Sequence, residues 1–180
     1  MARLFVAVAP PDEVLERVAA LDRPEVAGLR WTTRPQWHVT LRFLGAVDDV
    51  AAAADALVRL RAAPAEALLG PAVGRFGQRV LHVPVRGLDE VAAAVVAATA
   101  DVGEPPEELS LRSGHAGRPF AGHLTLARVR RGARVDLRRL TGEPVEGRWP
   151  VEEVCLLQSH LSPKGARYET LERVALRSGT

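Results

Sequence analysis

Cysteine is almost absent from this chain of 180 residues: Cys155 stands alone, which excludes an internal disulfide and any cysteine-based zinc cage. Its apolar neighbours Val154 and Leu156 predict a buried thiol with no catalytic part. Lysine is equally scarce, with Lys164 the single one among 24 basic residues. Aromatic residues make up only 4% of the chain, so no stacking platform for single-stranded nucleic acid is evident. Long apolar runs are missing too. The longest, Val91 to Ala100, is flanked by charge and falls far short of the roughly 20 residues a membrane span needs. No basic leader followed by an apolar core opens the sequence, since Arg3 to Val8 leads directly into Pro10-Pro11-Asp12-Glu13; a cytoplasmic protein without membrane attachment is expected.

The length suits a single unit, residues 1–180, in which two small lobes share one core. A monomer is expected, and no protein partner is inferred. The formal charge of +2 is small, yet arginines crowd the second half, as in Arg128-Val129-Arg130-Arg131 and Arg134 through Arg139. Guanidinium forks match phosphate oxygens, which permits an anionic ligand; a GC-rich genome produces the same arginine-rich, alanine-rich composition without a functional cause.

Along the chain, residues 3 to 9 read as a strand, and Pro10-Pro11-Asp12 starts a helix with Val14, Leu15, Val18 and Leu21 at helical spacing. Trp31 opens a short extended segment, Trp37 to Gly45 is a strand, and Asp48 begins a helix reaching Arg61. Leu68 to Phe76 and Arg79 to Val85 read as two strands joined through Gly77-Gln78, followed by a helix to Val102. Phe120 to Arg130 is a further strand and Val135 to Leu140 a short helix. Val151 to Ser159 and Tyr168 to Leu176 form a final hairpin. A duplication is visible among these pieces. Phe5-Val6-Ala7-Val8 leads into Asp12-Glu13-Val14, and Leu81-His82-Val83-Pro84-Val85 leads into Asp89-Glu90-Val91, which aligns His82 with Phe5. Two related lobes about a pseudo-twofold axis are expected, with a histidine-bearing strand from each on opposite walls of one cleft.

Those strands carry His38-Val39-Thr40-Leu41 and His123-Leu124-Thr125-Leu126. Side chains alternate along a strand, so His38 and Thr40 share one face, as do His123 and Thr125. Two imidazoles and two hydroxyls converging on one pocket supply an acid, a base and hydrogen-bond donors, the set that phosphodiester hydrolysis needs. A lone strand histidine beside a threonine is most often a packed, hydrogen-bonded residue; the duplication is what points to chemistry. Arg42 follows Thr40 by two residues and is expected on the same face as a charged donor or a surface ion-pair partner, whereas Arg128 has the opposite parity. Arg118 and Phe120 precede the second motif and suit a phosphate or a base, with Phe120 equally suited to the core. A metal site is disfavoured, because neither motif has a second ligand at helical or strand spacing and no Asp or Glu accompanies them.

The chain resembles the RNA 2',3'-cyclic phosphodiesterases, formerly called 2'-5' RNA ligases, of the two-histidine phosphoesterase superfamily. The likeness rests on Arg3 to Val8, on the stretch His38 to Gly45, on His123 to Arg128 and on Leu161-Ser162-Pro163-Lys164-Gly165-Ala166-Arg167-Tyr168. It implies an α+β fold, bilobal, with antiparallel sheets forming a central cleft and helices packed outside. It also implies hydrolysis of a 2',3'-cyclic phosphate on RNA or a nucleotide to a 2'-phosphate, with no metal or other cofactor. His38 would donate a proton and His123 accept one, although the near-symmetry of the motifs leaves that direction open from sequence. Thr40 and Thr125 complete the expected catalytic set, and Phe5, Arg42, His82 and Arg118 are the candidate substrate contacts. His115, in a glycine-containing loop, is expected to be solvated, and His160 to pack or cap locally. Other readings keep the cleft and change its use: 2'-5' linked oligonucleotides or an ADP-ribose cyclic phosphate as substrate, or nucleotide binding without turnover. ATP-driven ligation is disfavoured, because no nucleotidyl-accepting lysine motif or phosphate-binding glycine loop is present.

Overall fold

Residues 4 to 8 are apolar without alternation, the pattern of a strand covered on both sides. In the computed structural model, which describes residues 1–105, 119–162 and 165–178, they lie in β1 (Ala2–Val8). Then follow α1 (Asp12–Ala19), β2 (Leu29–Trp31), a 3-10 turn at Arg34–Gln36, β3 (Val39–Val47), α2 (Val50–Val58), β4 (Ala65–Leu69), β5 (Gly74–Phe76), β6 (Val80–Arg86) and α3 (Asp89–Ala98). The remainder comprises β7 (His123–Val129), a 3-10 turn at Leu137–Leu140, β8 (Gly147–Val151), β9 (Glu153–Ser162) and β10 (Gly165–Ala175).

The strands pair antiparallel along the path β10-β9-β1-β3-β7-β6-β4-β8, with β2 also on β7 and β5 also on β6. From its middle outward the path is symmetric: β3 then β1 on one side, β7 then β6 on the other. The halves meet at one pair, Val39 with Leu124, and each of these residues follows its motif histidine. A row of buried side chains, Val8, Val39, Leu124 and Val83, crosses the joint. The expected pseudo-twofold duplication is this symmetry, and the two lobes are sheets made continuous at that single pair into a curled half-barrel.

The helices cover the face opposite the motif histidines. Each of α1 and α3 crosses to the other lobe: α1 follows β1 and packs on β8, while α3 follows β6 and packs on β3. One contiguous apolar core joins both halves. Asp12 and Glu13 complement the N-terminal dipole of α1, and Arg17 pairs with Glu13 one turn earlier at 3.0 Å. The Asp49 carboxylate caps α2 by accepting the Ala52 N–H at 2.9 Å. None of the described helices is long and apolar enough to cross a membrane.

Several boundaries differ from expectation for local reasons. Leu68 to Phe76 is not one strand: Gly70-Pro71 lacks the amide hydrogen a ladder needs, so β4 and β5 separate and border β6 in succession. The helix expected to reach Val102 stops at Ala98, and in its last turn the Thr99 hydroxyl and the Arg42 guanidinium donate to the carbonyls of Val95 and Val96. Nothing in the sequence marks β8 as a strand, since Pro150 sits inside it; the strand lies at the end of the sheet, where a missing N–H is tolerated.

Candidate active site

His38 does not lie within β3, as expected, but one residue before it. The Arg34–Gln36 turn, closed by a reciprocal Thr33–Gln36 capping box, delivers the chain to that position. There the His38 Nδ1–H donates to the Gln36 carbonyl at 2.8 Å, and Nε2 faces the Thr40 hydroxyl at 3.1 Å. His123 repeats the device: its Nδ1–H donates to the Ala121 carbonyl, also two residues upstream and at 2.8 Å. A neutral imidazole with its proton held on Nδ1 carries its lone pair on Nε2, so both rings are set in one tautomer by the backbone. The two motifs are stitched together by Thr32, whose hydroxyl lies 2.8 Å from the carbonyls of both Thr125 and Leu126 and accepts from Trp37 Nε1 at 3.0 Å.

A β-bulge in each motif strand decides which further residues reach the cleft. Opposite β1, Val6 pairs with Arg42 and Ala7 with Thr40, so Leu41 is an extra residue. Opposite β6, Leu81 pairs with Ala127 and His82 with Thr125, so Leu126 is extra at the equivalent place. Each bulge reverses the facing of the residues that follow it, in β3 as far as a second irregularity at Leu44. The expectation that Arg42 shares the face of Thr40 is therefore corrected. Arg42 is buried on the helix side, donating to Val96 O at 2.9 Å and to the Thr99 hydroxyl at 2.6 Å. Phe43 takes the cleft face instead, beside Phe5 at 6.0 Å between ring centroids. The same reversal brings Arg128, expected on the far side, to the cleft, where its charge acts on both His38 and Tyr168.

Rings line the rest of the site. Phe5 packs on His38 at 4.9 Å and on Tyr168 at 5.1 Å, and Tyr168 meets the His38 ring edge-on at 5.0 Å. On the second wall Phe76, His82 and His123 cluster together. Phe5 and His82 each pack beside a motif histidine, although the ladder makes His82, opposite Thr125, the counterpart of Ala7, opposite Thr40, and not of Phe5. That two-residue offset preserves the face. Phe43, Phe76, Tyr168 and Arg128 were not among the expected site residues. Phe120 is partly buried against the core, His160 pairs with Glu169 at 2.9 Å, and Arg118 and His115 lie outside the described residues.

Burial is the largest influence on the histidines. His38 is lowered from 6.5 to about 4 by desolvation, with the Gln36 carbonyl opposing and the charges of Arg128 and His123 adding to the drop. His82 is lowered to about 4, again by desolvation first and His123 second. In the ligand-free cleft both rings are therefore uncharged at neutral pH. Among the described residues no group of three or more His, Cys, Asp or Glu side chains could hold a metal ion. A surface hollow of about 420 Å³ lies elsewhere, against Asp48, Asp49, Asp101 and Glu104; its negative charge does not suit a phosphate.

The chain matches the profile of the 2'-5' RNA ligase superfamily over residues 10–163. It is 34% identical, over 188 aligned positions covering 97% of this chain and 90% of the relative, to a protein of Thermus thermophilus named RNA 2',3'-cyclic phosphodiesterase. In three dimensions it is similar to the Thermus thermophilus protein TT0787, with a TM-score of 0.75 and 31% identity over 99% of this chain and 100% of that one. E. coli LigT complexed with 3'-AMP superposes with a TM-score of 0.68 and 26% identity, covering 98% of this chain and 99% of LigT. With its paired histidine strands and a match over most of its length, the chain belongs to the 2'-5' RNA ligase superfamily.

Proposed function

We propose that the cleft hydrolyses the 2',3'-cyclic phosphate of RNA ends or nucleotides to a 2'-phosphate, with His38 and His123 as the proton-transferring pair and without a metal. The observation that carries this reading is the duplicated anchoring of the two imidazoles. Each holds its Nδ1 proton against the carbonyl two residues upstream, which leaves Nε2 as the working nitrogen on both sides of the Val39–Leu124 joint. The relatives support the substrate class, one being named an RNA 2',3'-cyclic phosphodiesterase and another, LigT, having been solved in complex with 3'-AMP.

The chemistry follows from those nitrogens. A water attacks phosphorus and loses its proton to one imidazole, the P–O3' bond breaks, and the other imidazole protonates the departing O3'. Negative charge grows on the non-bridging oxygens, where the hydroxyls of Thr40 and Thr125 and the guanidinium of Arg128 are suited to donate. We assign donation to His38 and acceptance to His123. The donor role requires a proton that burial removes from the empty cleft; the anionic phosphate restores it, since an opposite charge at close range favours the imidazolium. The rings of Phe5, Phe43 and Tyr168 form an apolar wall beside His38, which suits a ribose or base face and holds few groups that would distinguish one base from another.

The test is hydrolysis of adenosine 2',3'-cyclic phosphate and of a short RNA with the same end, in EDTA, for wild type, His38→Ala and His123→Ala. The expected result is a 2'-phosphate from wild type alone, with a loss of at least about 10²-fold in either variant. Nucleotide binding without turnover in wild type would favour a binding module, and turnover surviving both substitutions would remove the histidines from the reaction.

A further inference from the structure

Among the described residues each motif histidine is packed by two rings, in a chain with only four Phe and one Tyr. His38 lies against Phe5 and Tyr168. His123 lies against Phe76 at 4.8 Å and His82 at 5.5 Å, perpendicular to both within a few degrees, at 84° and 83°. Phe76 and His82 are themselves stacked at 3.9 Å and 7°, so the edges of both rings, side by side, meet His123. The sheet register explains why a histidine fills this place. Val80 stands where the first lobe has Phe5, and it has no ring to offer; His82 stands where the first lobe has Ala7. The second lobe thus supplies its packing ring from a neighbouring register position.

The His82 ring is enclosed. It is 6% exposed, and its Nδ1 is buried with no hydrogen-bond partner among the described residues. Gly74 stands opposite it across β5 and β6, where a Cβ would come within 3.3 Å of Cε1. A nitrogen walled off in this way is poorly placed to carry protons, whereas a ring stacked on Phe76 with its edge against His123 is well placed to orient that neighbour. We infer that His82 is a positioning residue for His123, acting as a neutral aromatic ring that, with Phe76, fixes the plane of the imidazole tied to the Ala121 carbonyl. The kinetic consequence rests on the hydrolytic reading above; the geometric one does not.

The test compares wild type, His82→Leu, which keeps an apolar side chain but no flat ring, and His82→Phe, which keeps the ring and has no nitrogen. Turnover of adenosine 2',3'-cyclic phosphate, thermal stability and the ¹⁵N signature of the His123 tautomer, assigned by its loss in His123→Gln, are measured on each. In His82→Leu, kcat should fall about tenfold with KM within about twofold, as expected for a misoriented catalytic group, and the Nδ1–H tautomer of His123 should lose population. His82→Phe should recover most of both. Equal impairment in His82→Phe and His82→Leu would overturn the proposal by showing that the imidazole nitrogens are needed, and so would an unchanged kcat and tautomer in His82→Leu. If wild type turns over no cyclic phosphate, the hydrolytic reading fails while the tautomer measurement still decides the positioning role.

Discussion

Burial sets the proton count of the cleft residue by residue. His38 ordinarily titrates near 6.5 and is held at about 4 in the folded protein, and a bound phosphate must raise that value. Binding is therefore coupled to proton uptake by His38 wherever the pH lies between its free and bound values. Adenosine 2',3'-cyclic phosphate carries one negative charge that does not titrate in this range. With His123→Ala to prevent turnover, its affinity should rise as the pH falls from about 7 towards about 5, and the His38 ring resonances should report a higher pKa in the complex. An unshifted His38 would exclude it as the proton donor. The same burial makes folding stability depend on pH. His38 and His82 are both depressed to about 4, so between their ordinary 6.5 and about 4 the unfolded chain binds more protons than the folded one. Their contribution is complete above 6.5 and is lost as the pH falls towards about 4, on the order of 3 kcal/mol for the enclosed His82. The thermal midpoint should drop through this window, and His82→Phe should flatten the drop; an equal slope in the variant would contradict the assignment.

At the scale of the strand, the paired bulges sort two arginines that look alike in sequence. Arg42 holds the Val96 carbonyl in the last turn of α3 and the Val102 carbonyl just beyond the helix, and Arg128 faces the cleft. Arg42→Met should lower stability by roughly 1–3 kcal/mol, because buried carbonyls lose their donor, while the folded fraction keeps its turnover. Arg128→Met should leave the melting temperature near wild type and lower kcat on the order of a hundredfold, by removing charge stabilisation from the developing oxyanion. The reverse pattern in melting and kinetic measurements would mean that the bulges do not set the cleft. Much of this element is legible in the sequence: the motifs, their strands and the shared face of His38 with Thr40 all follow from period-two alternation. The bulge is hidden because Leu41 and Leu126 are apolar in either register, so composition does not mark them. A signal exists nonetheless. Buried positions run Val39, Leu41, Arg42, Leu44 in one motif and Leu124, Leu126, Ala127, Val129 in the other, so the alternation breaks at the same place in both copies. The cleft rings are harder to find. Phe76 and Tyr168 reach the site through β5 and β10, far from the motifs in sequence, and only tertiary pairing brings them there.

For the whole molecule, chain order and lobe order disagree, and that binds the lobes together. One half of the sheet is built from both ends of the chain, β1 and β3 with β9 and β10, while the other is built mainly from the middle, β4 to β8, with β2 added on β7. Among the described residues only Val39 and Leu124 join the two halves in the ladder, a contact too small to couple two independent units. The coupling comes instead from the helices and the core. α1 leaves the first lobe to cover β8 in the second, α3 leaves the second to cover β3 in the first, and one apolar cluster runs through both. Opening either lobe strips a helix and its buried side chains from the other, so neither has a complete core alone. Residues 1–180 should therefore unfold as one unit, with far-UV ellipticity and tryptophan fluorescence giving coincident transitions and a calorimetric enthalpy equal to the van't Hoff value. Removing β9 and β10 should abolish both transitions, because β1, the central strand of the first lobe, then loses its partner along Leu4 to Ala7 and the buried Leu156 and Val174 leave the common core. Two resolved transitions, or a cooperative transition surviving that truncation, would show that the middle of the chain folds on its own and that the helix crossings do not couple the halves.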